Sequence, residues 1–186
     1  MGYKAFQKEA IKKIVGGYDS NQKNNRFLVA DEVGLGKTFI AKGTIRCLFY
    51  FEWLKSGCLD GFLYNVLYLC SNLNIAEQNK SKLGVAPKDK VSLMNEVILG
   101  EKEFRDYKGN KLDAGSSIEN RTTMLLKKIK DNSGHEITAK KLREECIDIY
   151  SAEGIQEKER EYGIGNIDDH LGKKLKLNII PITTKT

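Results

Sequence analysis

The chain has 186 residues, 40% of them hydrophobic and 30% charged, which bounds it to one domain with a sizeable core and leaves little room for two of average size. Its net charge of +6 is gathered at the front: residues 1–86 carry 12 Lys/Arg against 7 Asp/Glu, and residues 87–186 carry 19 against 18. That bias suits phosphate or nucleic-acid contact without establishing it. The cysteines Cys47, Cys58, Cys70 and Cys146 form no C-x-x-C pair, which argues for reduced core thiols and against zinc or disulfides; no secretory signal pattern opens the chain and no uninterrupted apolar span follows, so no membrane segment and a cytoplasmic location are expected.

In chain order, Tyr3, Phe6, Ala10, Ile11, Ile14 and Val15 fall at the spacing of an amphipathic helix, which Gly16-Gly17 should end. Asp19 to Asn25 is a polar loop. Arg26-Phe27-Leu28-Val29-Ala30 reads as a short strand buried on both faces. Behind it, Gly34 and Gly36 allow the backbone to turn its N–H groups toward an anion, Lys37 brings a cation, and the Thr38 hydroxyl suits Mg²⁺. From Thr38 to Lys55 the chain is apolar on nearly every side, the mark of a helix inside a fold, here expected to pack on the central sheet.

The phosphate-loop pattern G-x-x-x-x-G-K-[ST] is met except that Asp31 stands at the first glycine. The run Asp31-Glu32-Val33-Gly34-Leu35-Gly36-Lys37-Thr38 resembles motif I of Swi/Snf-type ATPases in helicase superfamily two. The resemblance implies an α/β fold, a RecA-like P-loop NTPase lobe with a parallel sheet. It further implies that Gly34, Leu35, Gly36, Lys37 and Thr38 hold ATP, with Mg²⁺ on Thr38 and Lys37 acting on the reacting phosphates. Such ATPases place a glutamine after an aromatic or apolar residue, about one helix and one loop upstream. Gln7 after Phe6 is the match, and an amide can both donate to and accept from an adenine edge.

Ser56 to Asn65 is a connection, and Asn65 to Cys70 a second buried strand. Ser71-Asn72 then leads into a helix from Ile75 to Leu83. This unit resembles motif Ia, which implies that Ser71, Asn72 and Asn74 contact a nucleic-acid backbone. Ser71 or Asn72 equally suits a plain helix cap. Strand, crossover helix, strand and helix make a parallel α/β layout.

Residues 1–86 thus read as the front half of the ATP-binding lobe. Beyond Pro87 the composition becomes more charged, and residues 87–170 read as a mainly helical insertion with helices at Lys88–Gly100, Arg121–Lys130 and Thr138–Tyr150. Asn166-Ile167-Asp168-Asp169-His170 has the look of a helicase acidic box, but its approach, Tyr162 to Asn166, is turn-like, so a loop or helix cap is expected; His135 reads as a solvated turn residue. Residues 171–186 return to strand character from Lys174 to Thr184. The resemblance therefore implies the first lobe of a DNA-dependent ATPase, incomplete in this chain, with DNA ahead of RNA as partner and a second lobe or companion subunit needed for hydrolysis. A non-catalytic interaction module working through residues 87–170 is the alternative.

Overall fold

The computed structural model describes residues 2–19, 26–29, 36–70, 78–79, 82–83, 104–105, 111–112 and 135–183. They belong to two compact units, one made of Met1–Phe62 and Glu136–Leu175, the other of Leu63–His135 and Lys176–Thr186.

The first unit is built on helices. Helix α1 (Ala5–Asp19) is followed by α2 (Lys37–Lys55), α3 (Ala139–Tyr150) and α4 (Ala152–Glu161). Helix α1 runs through Gly16-Gly17, where the sequence pattern placed its end. A glycine inside a helix costs about 0.5–1 kcal/mol relative to alanine, and tertiary packing offsets it here. The Phe27 ring lies directly over Gly17, in the space a Cβ would need, and meets the Tyr18 ring at a tilt of 36° with centroids 5.8 Å apart.

Helix α2 is the interior helix that its composition announces. Ile40, Gly43, Arg46, Cys47, Phe49, Tyr50, Phe51, Trp53 and Leu54 are all buried. Its main packing partners are the helices α1 and α3, where a sheet was expected. Gly43 makes that approach possible: a Cβ there would run into Ile11 Cδ1 of α1 and lie 3.2 Å from Ile149 Cδ1 of α3. Around the second half of α2, Tyr50 packs on Trp53 and Phe51 meets Tyr150 edge-on, with centroids 5.7 Å and 5.5 Å apart. The Trp53 indole N–H donates to the Leu59 carbonyl at 3.0 Å, folding the chain back where α2 ends.

Two buried polar links tie these helices together. Arg46 on α2, 3% exposed, pairs with Glu145 on α3 at 3.1 Å. Glu159 on α4 is buried, receives the Tyr50 hydroxyl at 2.5 Å, and is gripped by Arg143 through Nε at 2.7 Å and Nη2 at 3.2 Å. Burial first, and then the bond to Glu159, push the Tyr50 hydroxyl far above the usual tyrosine range. Side chains set the helix starts: Thr138 Oγ1 accepts from the Lys141 N–H at 3.3 Å, and Ser151 Oγ from the Gly154 N–H at 3.2 Å. Cys47, Cys58 and Cys146 are buried free thiols.

The second unit contains β1 (Leu63–Cys70) and most of β5 (Lys174–Thr183), which pair in parallel from Leu63 opposite Lys176 to Cys70 opposite Thr183. Asn178, buried, donates its amide to Asn65 directly across at 3.1 Å. Tyr68 accepts from the Asn79 amide at 2.7 Å. Strand β4 (His135–Thr138) completes a sheet of order β1-β5-β4, and β2 (Phe104–Arg105) pairs antiparallel with β3 (Lys111–Leu112). The fold is thus mixed α/β with a small three-stranded sheet.

Two further expectations are corrected. Residues 26–29 form no strand, and Leu28 is 91% exposed; an apolar run becomes a strand only when a neighbour takes up its backbone hydrogen bonds. His135 opens β4 instead of sitting in a turn. The charged stretch from Glu101 to Ser117 holds the β2–β3 pair. The expected helices at 88–100 and 121–130 lie outside the described residues.

Gly43→Ala should lower stability by about 1–3 kcal/mol through overpacking against Ile11 and Ile149, measured as a shift of the urea midpoint without loss of helical circular dichroism. Glu159→Ala should cost about 3–5 kcal/mol, because it strands the Arg143 charge. Tyr50→Phe should cost only about 1–3 kcal/mol in the same assay.

Candidate functional site

Gly36 is the N-cap of α2 and sits in the left-handed region, at φ 86° and ψ 37°. Only glycine adopts this readily, since any Cβ would crowd the following carbonyl. The Gly36 carbonyl begins the helix by accepting from the N–H groups of Phe39 at 2.8 Å and Ile40 at 3.1 Å. No side chain caps this end among the described residues, in contrast to α3 and α4. The positive end of this 19-residue helix is a place that suits an anion.

Lys37 and Thr38 are the first two helical residues, the lysine exposed and the threonine half-buried. Both follow from the left-handed turn at Gly36, which swings the chain from its approach into the helix axis. A threonine hydroxyl is a hard oxygen donor of the kind Mg²⁺ takes, and a lysine ammonium is a mobile point charge suited to phosphate oxygens. The residues described at this end of α2 fit a nucleotide phosphate with its metal. Gly34 and Leu35, like Asp31 and Glu32, lie outside the described residues.

Gln7 comes from a different helix to the same place. It is 7% exposed on α1, and a Cβ built on Gly36 would come 2.6 Å from its Nε2. Its Oε1 accepts from the Lys4 backbone N–H at 3.0 Å. This is the half of a capping box in which a Gln at the third helical position reaches back over the helix start. The sequence carries that signal, a glutamine two residues after Ala5, but it shows only once the helix start is known. Beside it, Phe6 and Phe39 are 43% and 44% exposed.

The front of α1 is held from below by α3. Lys8 Nζ lies 3.0 Å from Asp148 Oδ1, and the Tyr3 N–H donates to Asp148 Oδ2 at 3.4 Å. The hydrogen bond from Lys8 is the main reason the Asp148 carboxyl sits below its ordinary range. The acidic run Asp168-Asp169 belongs to a single turn of 3-10 helix, Ile167–His170, whose start is capped by Asn166 Oδ1 accepting from the Asp168 N–H at 3.2 Å. Ser71, Asn72 and Asn74 lie outside the described residues, so the structure brings together Gln7, Gly36, Lys37 and Thr38 of the expected set.

A glycine-led helix start with Lys-Thr in its first turn is the arrangement of phosphate-binding α/β proteins. The model of the family described as type III restriction enzyme, res subunit, matches residues 1–149, and the chain belongs to that family. It carries a helicase-like, ATP-binding domain of superfamily two. No curated protein and no solved structure matches the chain. No helix among the described residues is long and apolar enough to cross a membrane.

Gly36→Ala places a side chain in the left-handed region and against the Gln7 amide. It should cost about 1–2 kcal/mol of stability and weaken nucleotide binding further. A melting curve and an ATP titration of the same preparation check both effects.

Proposed function

We propose that this chain is the ATP-binding first lobe of a DNA-dependent superfamily-two motor of the Swi/Snf type. Gly34, Leu35 and Gly36 shape the phosphate loop, and Lys37 holds the β- and γ-phosphates and acts on them during transfer. Thr38 takes Mg²⁺, and Gln7 lies toward the adenine. Ser71, Asn72 and Asn74 meet the nucleic-acid backbone, DNA ahead of RNA. Hydrolysis needs an acidic group to order metal and water and an arginine to neutralise developing charge. A second lobe or companion subunit supplies these groups for efficient turnover, and the protein works in the cytoplasm.

The observation that carries this reading is the meeting of Gln7 with Gly36 at the uncapped start of α2. Two motif residues 29 positions apart in sequence converge at one helix end, beside the lysine and threonine that a triphosphate requires. A glycine turn with a merely solvated lysine gives no reason for that convergence. Membership in the res-subunit family supports the same reading.

Millimolar ATP with Mg²⁺ should raise the melting temperature of the 186-residue chain, as any ligand that binds only the folded state must. Chelating the Mg²⁺ should reduce the rise, and Lys37→Ala should abolish it. An unchanged melting temperature for the wild-type chain at millimolar ATP would refute the assignment.

A further inference from the structure

Gln7 is placed to act on the phosphate end of the nucleotide as well as on the base. A backbone N–H can only donate, so the 3.0 Å contact with the Lys4 nitrogen fixes the amide with its oxygen toward Lys4. The Nε2 side is thereby turned toward Gly36, close enough that a methyl group on that glycine would come within 2.6 Å. Burial to 7% exposure holds the amide in this orientation. On the other side of the contact, Gly36 sets the direction in which Lys37 and Thr38 enter the helix, through its left-handed backbone and its carbonyl bonds to Phe39 and Ile40. Gln7 is therefore wedged between the peptide that begins α1 and the residue that begins α2.

We propose that Gln7 is a positioning residue for the phosphate grip, propping Gly36 so that the polyphosphate tail is bound tightly whatever base it carries. This rests on reading the start of α2 as the nucleotide site. A side chain that only reads adenine has no effect on a ligand without a base, whereas a prop under the loop glycine affects every polyphosphate equally. Lys4 is part of the device, since its N–H is what orients the amide.

The test uses the full chain, with inorganic tripolyphosphate·Mg²⁺ and ATP·Mg²⁺ titrated by calorimetry well below the melting temperature. The wild-type chain should bind both, and Lys37→Ala should bind neither. Gln7→Ala should weaken tripolyphosphate by about tenfold and ATP by at least as much. Tripolyphosphate affinity within about twofold of wild type overturns the proposal. It does so whether ATP alone weakens, making Gln7 a reader of the base, or only the ligand-free melting temperature falls, making it a helix cap. Should Gln7→Ala not fold, Lys4→Pro decides by the same criterion, because it deletes the N–H that orients the amide at a position before the helix where proline is tolerated. A wild-type chain that binds ATP but no tripolyphosphate keeps the site and overturns the role given to Gln7; one that binds neither removes the site itself.

Discussion

The burial of α2 is the constraint on which the rest of this structure depends. An anion site made of backbone N–H groups is only as good as the rigidity of the helix that presents them, because a helix free to tilt or slide carries its donors with it. Here the second half of α2 is locked by fully buried Phe49, Tyr50, Trp53 and Leu54, while its first turn emerges with Lys37 and Phe39 exposed. The macrodipole adds roughly half a positive charge at that open end. Anchoring and exposure are thus divided along one element, core at one end and the proposed phosphate site at the other.

The polar links inside the helical unit serve the same end. Taking Arg46 and Glu145, or Arg143 and Glu159, out of water costs about as much as their attraction returns, so such pairs add little net stability. Their effect is on register. If α2 slid by one turn relative to α3 or α4, a guanidinium or carboxylate would be left in the core with nothing opposite it. Tyr50 reinforces this, since its hydroxyl meets Glu159 only at one rotation of α2. Gly43 works by the complementary route, letting Ile11 and Ile149 approach into the space that a side chain would fill.

What could be read from the residues follows a physical division. The interior character of α2, the extent of α3, and the strands at β1 and β5 were legible because each depends on local pattern: an all-round apolar helix, an apolar stripe at helical spacing, runs of β-favouring residues. Whether two segments would pair was not. The parallel register of Leu63 with Lys176 joins residues more than a hundred positions apart, and nothing in either stretch names the other. The same gap explains the errors. Phe27 and Leu28 have the composition of a core strand, yet strand formation depends on a neighbour. Gly16-Gly17 has the composition of a helix end, yet Phe27, later in the chain, fills the space over Gly17 and the helix continues. Of the candidate site, the residue types at the start of α2 were legible; the hold of Lys4 on Gln7 was not, because a capping glutamine and an adenine-reading glutamine look alike in sequence.

Within the loop motif, Gly36 answers to two demands at once. Gly36 is required by its backbone, which lies where a side chain is strained, and by the Gln7 amide packed against it. Asp31, in the first glycine's place, begins the motif five residues earlier, before the helix direction has been set. The departure at Asp31 leaves that requirement untouched, whereas the same exchange at Gly36 would strain the backbone and crowd the glutamine in a single step.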